Sequence, residues 1–203
     1  MKLYGAPNPA PSPRRVRIAI AEKGIDLAET PVDLRARAHK APEHLALNPA
    51  GQVPTLVLGD GRTLSESVAI CRYLDALHPA PPLFGGADAF AVAEIDQWIR
   101  RVELMLMLPV AGFWRHAHPF TASLLTQYKD YGESNRAATA SAMRWFDRQL
   151  AGRASLGDGF SMADICLLTT VDFAAWIGLP MPEECTNLRA WHTAISARPS
   201  AAA

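Results

Sequence analysis

Over the first eighty residues short apolar runs alternate with helical patterns; beyond them the apolar positions recur almost only at helical spacing. Lys2 to Gly5 and Leu27 to Val32 read as strands. Thr55 to Leu58 and Arg62 to Leu64 read as a hairpin closed by Gly59-Asp60-Gly61. Pro13 to Lys23 predicts a helix, with Ser12 as N-cap, Pro13 at its first position and Gly24 just past its end. Pro42 to Leu47 predicts a short helix that Asn48-Pro49 stops, and Ser67 to Leu77 one that His78-Pro79 stops. The order is βαβ, then α, then ββα.

The Pro/Gly-rich stretch from Pro79 to Gly86 marks a domain boundary. We therefore divide the chain into residues 1–78, a linker at 79–87, and residues 88–203. In the second part, Phe90, Ile95, Trp98, Ile99, Val102 and Leu106 recur at helical spacing. Pro109 should kink or end that helix. Thr121 to Leu150 predicts a long helical region with a break near Tyr131-Gly132. Met162 to Ile177 is apolar on most faces, as a buried central helix would be. Ser161 with Asp164 three residues on has the form of a capping box at its start. Leu188 to Ala197 predicts a last short helix, which makes the second part an all-α bundle.

Charge narrows the function. Lys plus Arg and Asp plus Glu stand at 20 each, so the net charge is zero and the basic surplus of a nucleic-acid binder is missing. The three cysteines, Cys71, Cys166 and Cys185, form neither C-x-x-C nor a metal-ligand spacing, and the apolar neighbours of the first two predict buried thiols. Unpaired thiols suit a reducing compartment. The chain opens on a strand-like run with no signal-peptide pattern, and no apolar stretch reaches membrane-spanning length; we expect a cytoplasmic protein that engages no membrane. His116 and His118 lack a third ligand, so no metal is expected.

The most informative segment is Gly51-Gln52-Val53-Pro54-Thr55-Leu56, followed by Glu66-Ser67-Val68-Ala69-Ile70-Cys71-Arg72-Tyr73-Leu74. Pro54 cannot donate to a sheet ladder and must sit at a strand's beginning. Its peptide bond is either an ordinary trans bond or a cis one that turns the Val53 backbone toward a ligand. With the opening Met1-Lys2-Leu3-Tyr4, with Arg14-Arg15-Val16-Arg17-Ile18 and with Ser161-Met162-Ala163-Asp164, this segment resembles the cytosolic glutathione transferases over nearly the whole chain. The resemblance implies a thioredoxin-like domain followed by a helical bundle, glutathione as co-substrate, a small hydrophobic electrophile as second substrate, and a homodimer. Arg72, Leu77, Ala91 and Ile95 are the residues we expect toward a second subunit.

The same resemblance assigns roles. Ser67, at a helix start, and Glu66 would take the γ-glutamyl carboxylate and ammonium. Val53, held by Pro54, would pair with the cysteinyl backbone, and Lys40, or His39 after it, would meet the glycyl carboxylate. Glu66 and Ser67 equally suit plain capping, and Lys40 a solvated side chain. The thiol needs a donor that favours its thiolate. Here the chain departs from the family: Ala10 falls where Ser-type members carry their Ser, Ser12 where bacterial Cys-type members carry their Cys, and Tyr4 lies too early. Ser12 and Asn8 remain as side-chain donors, with backbone N–H groups as the alternative. Leu104, Met107, Leu108, Phe113 and Trp114 are candidates for the electrophile, with Arg101 and His116 as polar possibilities. A non-catalytic binding protein or a glutathione-dependent isomerase on the same fold stays open at this level.

Overall fold

The computed structural model describes residues 1–203. The first half runs β1 (Lys2–Gly5), α1 (Pro11–Lys23), β2 (Glu29–Pro31), α2 (Pro42–Leu47), β3 (Thr55–Val57), β4 (Thr63–Ser65) and α3 (Ser67–Leu77). The sheet order is β2-β1-β3-β4, with β1 parallel to β2 and the other pairs antiparallel. A parallel pair requires a crossover, and α1 supplies it. Leu3 and Leu56 face each other across β1 and β3 and are wholly buried against Val16, Ile18 and Ala19 of α1 and Ile70, Cys71 and Leu74 of α3. β2 is shorter than its apolar run because Leu27 bonds Ile25 locally and pairing starts only at Glu29.

The second half runs α4 (Ala89–Arg101), a π-helical turn (Val102–Met107), α5 (Leu108–His116), α6 (Lys129–Gln149), α7 (Met162–Trp176) and α8 (Thr186–Ser196). Asp88 caps α4 through Phe90 N–H at 3.0 Å. The expected kink at Pro109 is replaced by the π turn. Leu108 donates to the Glu103 carbonyl, five residues back, and the widened turn accommodates the Pro ring that follows. The expected break near Gly132 is also absent, since α6 runs straight through it. A Cβ there would lie 2.6 Å from the backbone at His116 and Ala117, so this Gly serves a close helix crossing and not a loop.

α7 lies at the centre, buried from Met162 to Val171. It is also where the two halves meet. Arg14 of α1 pairs with Asp172 at 2.5 Å and donates to the Ala201 carbonyl, while Arg15 reaches Thr169 and Thr170 at 3.3 Å. Arg198 pairs with Glu22 at the other end of α1. No helix is long and apolar enough to cross a membrane, and no His/Cys/Asp/Glu group could hold a metal ion.

Candidate functional site

One cleft of about 340 Å³ opens beside the sheet. Ser12 borders it from α1, Leu34, His39 and Lys40 from the loop after β2, Gln52, Val53 and Pro54 from the approach to β3, and Ser65, Glu66 and Ser67 from the start of α3. Residues separated by more than fifty positions are thus brought to one wall system. The volume falls within the roughly 300–1,000 Å³ of small-molecule sites.

Each wall offers unspent hydrogen-bonding capacity. The Val53-Pro54 bond is cis. Val53 lies outside every ladder, and neither its N–H nor its carbonyl has a partner in the chain. The loop before it is fixed instead through the Gln52 carbonyl, which accepts from Asn48 at 3.0 Å and from Thr55 at 3.2 Å and meets His44 Nε2 at 2.9 Å. Glu66 is the N-cap of α3 with φ of 68°, a conformation L side chains seldom adopt, and its side chain caps nothing. The first-turn N–H groups of α3 therefore stay free, with the positive end of the helix dipole, toward the cleft. Ser67 is 5% exposed, and the buried Arg15 guanidinium lies 3.5 Å behind its hydroxyl. The Arg15 guanidinium is itself paired with Glu103 at 3.2 Å, which fixes it beneath Ser67.

On the opposite rim, His39 Nδ1 is buried without a hydrogen-bond partner, an atom that wants a ligand or water. Burial, then the charges of Lys40, His44 and Arg37, push the imidazole below its ordinary pKa. Lys40 donates to the Ala50 carbonyl at 3.1 Å and forms no ion pair, which leaves its charge available.

The first turn of α1 differs from expectation in one instructive way. The N-cap is Ala10, with no side-chain cap, and Ser12 lies inside the turn. Pro11, preset for a first helical position, starts the helix one residue before Ser12 could cap it. Freed from capping, the Ser12 hydroxyl makes no hydrogen bond within the chain and borders the cleft. Pro11 and Pro13 have no N–H, so Ser12 also holds the one free N–H among the first three helical residues.

Other candidates lie elsewhere. Asn8 turns away: its Oδ1 accepts from Arg17 at 2.6 Å, and it borders a separate cleft with Pro7, Arg17, Glu29 and Pro31. Phe113 is 3% exposed under the Arg136 guanidinium, a core residue and not a lining one, because it falls on the inward stripe that Leu106 and Val110 continue. Arg101 lies over the rings of Trp98 and Trp145, and His116 packs against Tyr128 and Tyr131. Ile95 is buried in its own bundle, so it cannot face a partner; Arg72 pairs with Asp96 at 3.0 Å. Leu104 and Leu108 are exposed, Met107 packs beside Thr170, and Trp114 joins a ring cluster with His118, Phe120, Phe173 and Trp176. The protein's own thiols are inert. Burial pushes Cys71 up and Cys166 up to about 11.

A thioredoxin-like sheet with a cis-Pro cleft, docked on a bundle through a capped central helix, defines the class. The profile for "Glutathione S-transferase, N-terminal domain" matches residues 10–77, and that for "Glutathione S-transferase, C-terminal domain" matches residues 96–194. The chain belongs to the glutathione S-transferase family. Glutathione S-transferase 2 of Saccharomyces cerevisiae is 39% identical over 98% of this chain and 87% of that protein. The solved structure of Gtt2 from Saccharomyces cerevisiae superimposes with a TM-score of 0.90 at 38% identity, covering 98% of each chain. A glutathione S-transferase domain-containing protein of Marinobacter aquaeolei gives 0.91 at 34% identity, over 98% of this chain and 99% of that one.

Proposed function

We propose that residues 1–78 bind reduced glutathione in the Val53-Pro54 cleft and that Ser12 activates its thiol for attack on an electrophile seated against residues 88–203. The observation that carries this reading is the convergence, in one cleft, of four features with spare hydrogen-bonding capacity or charge that match four parts of the tripeptide. The free N-terminus of α3 and Ser67 take the γ-glutamyl carboxylate, with Arg15 behind them positioning the Ser67 hydroxyl. Glu66 takes the ammonium. The unpaired Val53 backbone pairs with the cysteinyl unit in strand fashion. Lys40 and the orphaned His39 Nδ1 take the glycyl carboxylate.

The thiol then falls to the first turn of α1. Ser12 supplies a hydroxyl and an N–H, and the helix dipole adds to both. As the thiolate attacks, a C–S bond forms, the leaving group departs with its electron pair, and the thiol proton passes to solvent. The protein contributes a stabilised thiolate and proximity. A second copy of the chain is expected to complete the protein as a homodimer, and the exposed Leu77 and Phe90 support such a contact.

Calorimetric titration with reduced glutathione tests the site. Saturable binding of about one per subunit, micromolar to millimolar, is expected. Ser67→Ala combined with Glu66→Ala should weaken it at least about tenfold, since each loses a charge-assisted bond. Unchanged affinity in that double variant would show the cleft to be wrongly assigned.

A further inference from the structure

A ring cluster in the second half lies outside the cleft; Phe173 roots it in the core, while Trp176 and Phe120 stand out from it. Trp114 stacks on Phe120 with centroids 5.4 Å apart and planes at 22°. It also meets Phe173 at 5.4 Å and Trp176 at 5.6 Å. Trp176 lies nearly parallel to Phe173, at 21°, and to His118, at 22°. The inner members are anchored, Phe173 being 7% exposed, whereas Trp176 is 51% and Phe120 43% exposed. Such outlay of exposed indole and phenyl face, fixed by rings beneath it, has the character of a binding shelf.

Its place in the fold ties it to the thiol end of the cleft. Arg15 sits level with Thr169 and Thr170, and Arg14 with Asp172, so α7 advances toward the first turn of α1. Phe173, buried, and Trp176, exposed, follow Asp172 in that direction. From the other side, Leu34 borders the cleft, and the Arg35 guanidinium beside it reaches over Phe120 at 5.9 Å. Arg35 is exposed and forms no ion pair. The shelf thus has flat apolar faces and one uncommitted cation at its edge nearest the glutathione loop.

The geometry points to this shelf as the acceptor site, taking a planar aromatic electrophile that carries an anionic group, with Trp176 and Phe120 holding the ring and Arg35 the anion. This rests on the glutathione reading above, and it sets the acceptor on rings of α5, α7 and the α5–α6 connection, not on the aliphatic Leu104 and Leu108. With an aryl chloride, the glutathione thiolate adds at the chlorine-bearing carbon, the C–S bond forms, and chloride leaves with the bonding pair. No oxidant or further reactant enters.

A matched pair of acceptors tests it: 4-chloro-3,5-dinitrobenzoate and its neutral primary amide, each corrected for its uncatalysed rate. The benzoate should show a kcat/KM about fivefold above the amide, as a partly exposed charge contact gives. Arg35→Gln should bring that ratio to about one. Trp176→Leu, a change at a surface ring, should raise KM for both acceptors about tenfold, and Phe120→Leu serves as the second ring variant. Glutathione affinity by calorimetry should be unchanged in all three. Equal kcat/KM for the pair in the native chain, or KM unmoved in both ring variants, overturns the shelf. Absence of glutathione binding by the native chain would instead overturn the reading beneath it, so the two failures are distinguishable.

Discussion

Asp164 is wholly buried and accepts four hydrogen bonds. Its Oδ1 takes Leu156 N–H at 3.0 Å and the Trp191 indole at 3.1 Å; its Oδ2 takes the Ser161 N–H at 3.0 Å and the Ser161 hydroxyl at 3.1 Å. Ser161 in turn caps α7 through Ala163 N–H, completing the box. Burial pushes the carboxyl above its ordinary pKa, and the four donors offset only part of that rise. Four bonds to a charged group would sum to roughly 6–12 kcal/mol. The desolvation of the carboxylate, several kcal/mol, opposes that sum. Asp164→Ala therefore should cost about 4 kcal/mol, mostly through buried donors left without acceptors. Asp164→Asn should cost about half as much, because one acceptor oxygen remains while the amide N–H₂ meets the Ser161 donors. Urea unfolding followed by tryptophan fluorescence reads both. A loss under 2 kcal/mol for the Ala variant, or equal losses for the two, would refute the four-donor account. The consequence reaches the cleft, since α7 holds Arg14 and Arg15 of α1. The Ala variant should lose glutathione binding and fold together, at the same urea concentration.

The remaining expectations are more local. Ser12→Ala should raise the pKa of glutathione's bound thiol by about one unit, read from thiolate absorbance in the ultraviolet; an unmoved titration would leave the helix N-terminus as the sole donor. Lys40→Ala should weaken glutathione about tenfold while leaving γ-glutamylcysteine, which lacks the glycyl carboxylate, unaffected; equal losses would remove Lys40 from that role. Arg15→Met should destabilise by about 3 kcal/mol, because Glu103, Thr169 and Thr170 lose a shared partner, and a chemical melt within 1 kcal/mol of native would contradict this. The Arg198 bond, against the effect of burial, holds Glu22 below its usual pKa, and the His192 and Arg14 bonds outweigh burial at Asp172. Both pKa values are lower in the fold, so their stabilisation is full above the unfolded carboxylate range, about 4, and fades as pH falls through the folded values. Arg198→Met should accordingly flatten the acid limb of a melting-temperature profile; a parallel profile would dissociate Glu22 from it.

The elements legible in the sequence were those with local causes. Pro42–Leu47 and Ser67–Leu77 fall where punctuation by Pro, Asn and His placed them, and the Ser161–Asp164 box is where its spacing placed it. What the sequence hid depends on long-range packing. Gly132 reads as a breaker, yet it exists to let α6 pass His116 and Ala117. Pro109 reads as a stop, yet a π turn upstream absorbs it. Phe113 and Ile95 read as accessible only because a helical stripe does not announce which neighbour covers it. The shelf escaped because Trp114, Phe120 and the pair Phe173 and Trp176 come from three segments, each unremarkable alone. Pro11 was the available signal for Ser12: a Pro one residue ahead of a prospective cap should have moved the helix start.

That displacement bears on the proposal that Ser12 serves where the family resemblance leads one to expect a hydroxyl at Ala10. Two prolines flank Ser12 and remove the neighbouring N–H groups that would share the dipole's field. The hydroxyl and the one remaining N–H come from a single residue, on a turn held from behind by Arg14 and Arg15. If Ser12 is the thiol donor, as proposed, its position depends on the α1–α7 contact. The activity and the interdomain dock then share one set of contacts. A variant that loosens Arg14–Asp172 should raise the bound thiol pKa before it unfolds the protein.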